Sequence, residues 1–167
     1  MELTIREATP DDAEALLEYT RIVGGETGNL SFDGNGLSLS VEQERKFIST
    51  IAADGRSVML VAYDGLVLVG TGQLSSFSRR FAHRGELAVS VRKAWWGKGI
   101  GTRLMSALVD FAKNSAQVEV VSLEVRSDNK RAISLYRKFG FETFGVYRRF
   151  FKIDGAYFDA DYMNLYL

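Results

Sequence analysis

The chain has 167 residues, no cysteine, a single histidine (His83), and 21 Lys+Arg against 21 Asp+Glu. That excludes thiol nucleophiles, disulfides and thiolate or histidine-rich metal sites, and the zero net charge argues against a broad nucleic-acid-binding surface. The 46% hydrophobic and 25% charged composition is that of an ordinary soluble protein, the length fits one domain over 1–167, and no apolar run is long enough to span a bilayer.

The N-terminus "MELTIREATP" carries charges where a signal peptide needs an apolar core, so a cytoplasmic protein is expected. Leu3 and Ile5 alternate as a short strand. Thr9-Pro10-Asp11-Asp12 reads as a helix start, with a capping threonine, proline at the first position and acidic groups at the positive end of the dipole. Ala13, Leu16 and Leu17 supply its apolar face. "GGETGNLSFDGNGLSLS" reads as a loop. A second helix starts at Ser40, where "SVEQ" has the spacing of a capping box, and Phe47, Ile48 and Ile51 form its apolar face.

"SVMLVAYDGLVLVGTGQLSS" predicts a hairpin turning at Asp64-Gly65. "FSRRFAHR" is a polar loop and "ELAVSV" the next strand. A glycine-rich stretch then leads into a helix from Thr102 to about Asn114, with Leu104, Leu108 and Phe111 on one face and Met105 beside them. "VEVVSLEV" is a strand. Ser127-Asp128-Asn129 opens a helix in which Ala132, Tyr136 and Phe139 share a face, and Gly140 ends it. Two last strands flank Asp154-Gly155. The order predicts an α/β protein whose mixed sheet is covered by helices on both faces.

The stretch "WWGKGIGTRLM" places alternate glycines between a strand and a helix start. Glycines let a backbone approach its ligand, and unpaired N–H groups at a helix start suit an anion. The run is not a P-loop, which closes Gly-Lys-Ser/Thr, nor the G-x-G-x-x-G of a dinucleotide fold. A ligand-free tight turn is the competing reading of this stretch alone. Downstream, "SDNKRAISLYRKFGFETFGV" puts Asn129 and Tyr136 seven residues apart, on one helix face.

Taken together, "AVSVRKAWWGKGIGTRLM" and "SDNKRAISLYRKFGFETFGV" resemble the GNAT superfamily of acyl-CoA-dependent N-acyltransferases. The resemblance runs from about Val58 to the C-terminus and is strongest from Glu86 to Gly145. It implies the three-layer α+β fold of that family and acetyl-CoA as co-substrate, with no metal. The backbone from Gly97 through Lys98, Gly99, Ile100 and Gly101 to Thr102 would hold the pyrophosphate. The family's first loop position is usually Gln or Arg; here it is Trp96. Backbone groups of Val89 and Val91 would pair with the pantetheine arm, Asn129 would contact that arm, and Tyr136 would stand near the thioester sulfur. Lys98, Arg103, Lys130 and Arg131 lie where one or more could screen the ribose phosphate.

The chemistry requires these parts in its own right. An amine attacking a thioester must lose a proton and expel a thiolate, so a base and an acid are both useful. Glu86 is the candidate base, acting through water, and Tyr136 the candidate acid. The competing readings are a core aromatic for Tyr136, a helix cap for Asn129, a solvated strand carboxylate for Glu86 and packing residues for Trp95 and Trp96. The expected activity is acetyl transfer to a primary amine, either a small molecule or a protein N-terminus. A non-catalytic acyl-CoA sensor is the alternative in another class, and it would need neither Glu86 nor Tyr136. Glu26, Asp33, Asp159 and Asp161 are further acceptor-site candidates by position, and "GGETGNLSFDGNG" and "FSRRFAHR" are expected to line the acceptor site. The aromatics of the final strands (Phe144, Tyr147, Phe150, Phe151, Tyr157, Phe158, Tyr162) exceed what one sheet face needs, so a homodimer is expected. No nucleic-acid or membrane partner is expected.

Overall fold

The computed structural model describes residues 1–167. Seven strands form one mixed sheet in the order β1-β2-β3-β4-β5-β7-β6. They are β1 (Leu3–Glu7), β2 (Val58–Asp64), β3 (Val67–Ser76), β4 (Arg84–Val91), β5 (Val120–Arg126), β6 (Glu142–Ile153) and β7 (Ala156–Tyr166). Four helices complete the fold: α1 (Ala13–Glu26), α2 (Val41–Asp54), α3 (Ile100–Asn114) and α4 (Lys130–Lys138). All neighbouring strands are antiparallel except β4 and β5. No helix is long and apolar enough to cross a membrane.

Strand β2 shows why the layers number three. Its residues alternate between two cores. Val58, Leu60 and Ala62 join the core under α3 and α4, with Leu104, Leu108 and Leu123. Met59 and Val61 join the core under α1 and α2, with Leu16, Tyr19 and Ile48. A strand buried on both faces reads as a continuous apolar run, as "VMLVA" does.

The turn chemistry acts as its residues require. Gly65, Asp154 and Gly155 all have positive φ, at 59°, 48° and 82°. Ser40 caps α2 by accepting from the Gln43 amide, and the Gln43 side chain accepts from the Ser40 amide in return. Three local expectations differ from the structure. α1 runs on through Gly24 and Gly25, and glycine is needed at 24 because a Cβ there would lie 2.0 Å from the Asp33 carbonyl oxygen. The glycines there admit a crossing chain rather than end the helix. On α2 the buried face is Glu44, Ile48 and Ile51, and Phe47, one residue round the helix, is 44% exposed. α3 begins at Ile100, two residues before the expected start.

Asp12 anchors the first helix to the sheet edge. Its buried carboxylate accepts both Arg6 nitrogens at 2.7 Å, the Thr9 amide at 2.8 Å and the Tyr63 hydroxyl at 2.9 Å. The Arg6 hydrogen bond, partly opposed by burial, holds this carboxyl well below the usual Asp range. Because the folded-state value is depressed, its stabilisation is present above the ordinary Asp pKa of about 3.9 and is lost as pH falls below it. Asp12→Ala is expected to cost about 2–3 kcal/mol at neutral pH by urea denaturation, and the difference from the unaltered protein should shrink towards pH 3.

Candidate active site

The parallel strands β4 and β5 pair at only three positions, Arg84 with Val120, Gly85 with Val121 and Glu86 with Ser122. Beyond these, β4 stays paired to β3 as far as Val91 and β5 stays paired to β7 as far as Arg126. Each strand follows its other neighbour, and sheet twist carries the two apart. A fork opens towards their C-terminal ends. In the β3–β4 ladder the Arg92 amide donates to the Val69 carbonyl, so Ser90 and Ala88 also face β3. Antiparallel pairing then turns the backbone groups of Val89 and Val91 away, into the fork.

The glycine loop closes the fork's mouth. Gly97 and Gly99 both have φ of 78°, a left-handed conformation that glycine adopts readily. Gly99 has no side chain to cap α3, and the first donation into the helix is from the Arg103 amide to the Gly99 carbonyl at 3.1 Å. The amides of Ile100, Gly101 and Thr102 are therefore unpaired donors at the positive end of a 15-residue helix. Gly101 serves packing: a Cβ there would lie 3.2 Å from Leu135 and 3.9 Å from Val91. Its absence lets the start of α3 close onto both α4 and the end of β4.

Both tryptophans brace this loop. The Trp95 indole donates to Asp64 at 2.9 Å, and Trp96 donates to the Val91 carbonyl at 2.7 Å. Trp96 thus takes one of the two backbone groups that Val91 turns to the fork. Lys98 and Arg92 lie over the Trp95 ring, and Arg131 lies over Trp96 at 4.6 Å. Lys130 instead donates to the Ser127 carbonyl. Glu26 pairs with Arg92 and accepts from the Lys93 amide, which ties the end of α1 to the same loop.

Along β5, Val121, Leu123 and Val125 are buried against the α3–α4 side. Ser122 and Glu124 face the other way, as Glu86 does at the fork's apex. Glu124 is open to solvent at its surface, yet partial desolvation, then the negative charge of Glu86, push its carboxyl up to about 6. Glu124 was absent from the sequence expectations. Its signal was the alternation in "VVSLEV", but only the parallel register, which pairs Glu86 with Ser122, shows that the next residue of β5 on that face is a neighbour of Glu86.

On the opposite side of the sheet Tyr136 is 7% exposed, its ring 6.0 Å from that of Phe141. Burial pushes its hydroxyl up to about 12, so it stays protonated at neutral pH. The Asn129 side-chain oxygen accepts from the Ala132 amide at 3.2 Å and caps α4.

Other candidates carry structural loads. Asp33 accepts from the Asn35 amide, Asp159 from the Arg149 amide, and Asp161 from Ser127 and Thr143. The "FSRRFAHR" loop lies at the closed end of the fork, where the His83 carbonyl accepts from Glu119 and Val120. There Arg56 donates to the carbonyls of Phe77, Ala82 and Ala116. That segment belongs to the end of the β4–β5 pair remote from the glycine loop.

Residues 30–141 match the model of the acetyltransferase (GNAT) family. The chain is 41% identical over 96 residues to the N-alpha-acetyltransferase RimI of Mycobacterium tuberculosis, a match covering 57% of this chain and 58% of that one. The chain therefore spans little more than half the length of that relative. The GNAT acetyltransferase of Streptococcus pneumoniae superposes with a TM-score of 0.95 at 30% identity, covering 99% of this chain and 100% of that one. The yncA protein of Salmonella typhimurium, solved with acetyl-CoA as its cofactor, has the same fold: TM-score 0.86, 24% identity, 100% and 95% coverage. The chain belongs to the acetyltransferase (GNAT) family.

Proposed function

We propose that this chain transfers an acetyl group from acetyl-CoA to a primary amine by direct attack. The observation that carries the reading is the fork, with unpaired helix-start amides at its mouth and one carboxyl from each of its two strands on the same sheet face. The donor set fits the co-substrate. A Cβ at Gly99 would meet no protein atom within 4 Å, so the loop is open to solvent at Gly99. The amides from Gly97 to Thr102, with Lys98 among them, hold the pyrophosphate. Val89 and the free amide of Val91 pair with the pantetheine arm, and Asn129 offers its remaining amide nitrogen.

Acetyl-CoA supplies the thioester carbonyl. The Glu86–Glu124 pair takes a proton from the acceptor ammonium, directly or through water. The amine nitrogen then bonds to the carbonyl carbon, and the carbon–sulfur bond breaks. Tyr136 gives its proton to the departing thiolate, and the second proton, shed by the nitrogen as it becomes an amide, returns to the phenolate through water. A carboxyl pair on one side of the forked sheet and a protonated phenol on the other supply a base and an acid, which favours an enzyme over a sensor, since a sensor needs neither group. A pairing of two copies along the free outer edge of β6, where Val146 is 55% exposed, belongs to the same proposal.

The test is thiol release from acetyl-CoA against a panel of amines. No turnover with any of them would sink the reading. The pH profile is the sharper check. A base must be ionised to act, so kcat/KM should rise with pH through about 6. Glu124→Gln should remove that limb and lower kcat/KM by about 10²-fold; an unshifted limb would show that another group is the base.

A further inference from the structure

Two register shifts interrupt the β6–β7 ladder, one between Thr143 and Gly145 and one between Tyr147 and Phe151. Bulges redirect the side chains that follow them. The second is held by Arg149, at φ of 57°, whose amide donates to Asp159 at 2.8 Å. Their combined effect is to gather four rings. Phe144 stacks on Tyr162 at 5.9 Å, Tyr147 and Phe150 meet Tyr162 edge-on at 6.2 and 6.1 Å, and Tyr147 meets Phe150 at 5.3 Å. Tyr162 is the cross-strand partner of Glu124. The ring cluster therefore abuts the carboxyl pair. Phe144 is 59% exposed and Tyr147 is 53% exposed.

We infer that Phe144, Tyr147, Phe150 and Tyr162, together with Glu86 and Glu124, form the acceptor-recognition surface, and that the acceptor is the N-terminal α-amine of a polypeptide whose first side chain is apolar. The inference rests on the acetyl-transfer reading above. An ammonium is attracted both to the carboxylates and to the negative faces of aromatic rings. An apolar first side chain buries ring surface that is otherwise left in water. A free amino acid would bring its own carboxylate beside two others and be repelled, whereas a polypeptide has a neutral amide there. The rings are open on one side, so a chain continuing past its first residue covers them. The basicity of the pair points the same way. A peptide α-amine has a pKa near 7.7–8.0 and a lysine amine one near 10.4, so the pair deprotonates the α-amine about 10²-fold more readily.

The experiment compares methioninamide, alaninamide and free methionine as acceptors by thiol release, with acetyl-CoA affinity measured separately by calorimetry. We expect kcat/KM for methioninamide at least about tenfold above that for free methionine. Tyr162→Leu and Phe150→Leu should each raise KM for methioninamide by about tenfold, with alaninamide affected less and acetyl-CoA affinity unchanged. Tyr162→Phe keeps the ring and should keep KM, which separates loss of the ring from general damage. Equal use of free methionine, or leucine variants with unchanged KM, would overturn the inference. A dimer that dissociates in the leucine variants would assign the rings to a second copy and overturn it too. Normal acetyl-CoA binding with no preference for the amide overturns this inference alone; failure of acetyl-CoA to bind the unaltered protein overturns the acetyl-transfer reading with it.

Discussion

Replacing Tyr136 by phenylalanine is expected to lower kcat by about 10²–10⁴-fold, the usual worth of a positioned proton donor, while the dissociation constant of acetyl-CoA changes little. The phenol is buried and stays protonated to about pH 12, so it holds a proton at every pH at which the amine can react. Phenylalanine keeps the ring against Phe141 and removes only the hydroxyl. A ground-state thioester sulfur is a weak acceptor, so the missing hydroxyl is felt mainly as the thiolate departs. If Tyr136 were only a packing residue, the variant would turn over normally and any loss would appear in its melting temperature. Near-normal kcat in a folded variant rejects the acid role.

Gly99→Val is expected to weaken acetyl-CoA binding by at least about tenfold. A left-handed residue other than glycine costs roughly 1–2 kcal/mol, and a β-branched one more, so the free loop relaxes out of the conformation that aims its amides; recovering it on binding at about 1.4 kcal/mol is a factor of ten in affinity. The added side chain also enters the space proposed for the phosphates, since no protein atom occupies it. Gly55 supplies the control. It has a similar φ of 69°, has equally open surroundings, and caps the end of α2. Gly55→Val should be destabilised comparably and still bind acetyl-CoA. Calorimetric titration of both variants decides the matter, and equal affinities would remove the loop from the phosphate site.

Local signals were legible in the sequence wherever the physics is local. The Ser40 capping box, the Asp64-Gly65 and Asp154-Gly155 turns and the strand–glycine–helix order each depend on a few neighbouring residues. The misreadings share one cause. Gly24 and Gly25 read as a loop because composition alone does not show that the following segment folds back to cross the helix at Asp33. Glu124 passed unnoticed because its meaning comes from a parallel neighbour, and nothing in "VVSLEV" announces that register. The aromatics of the last two strands read as a surplus because alternation alone could not show that bulges collect four of them on one face.

The fork also bears on how the sheet is assembled. A ladder joined at three positions makes the seven strands two antiparallel ribbons, β1 to β4 and β5-β7-β6, meeting at a short seam. With only three pairings, against five or more in every other ladder, the seam has the fewest hydrogen bonds to hold it and is expected to be the first ladder to loosen. In hydrogen exchange, the amides of Val120 to Ser122 should open at lower free energy than those in the middle of β2 and β3. The site thus sits at the weakest joint of its own scaffold.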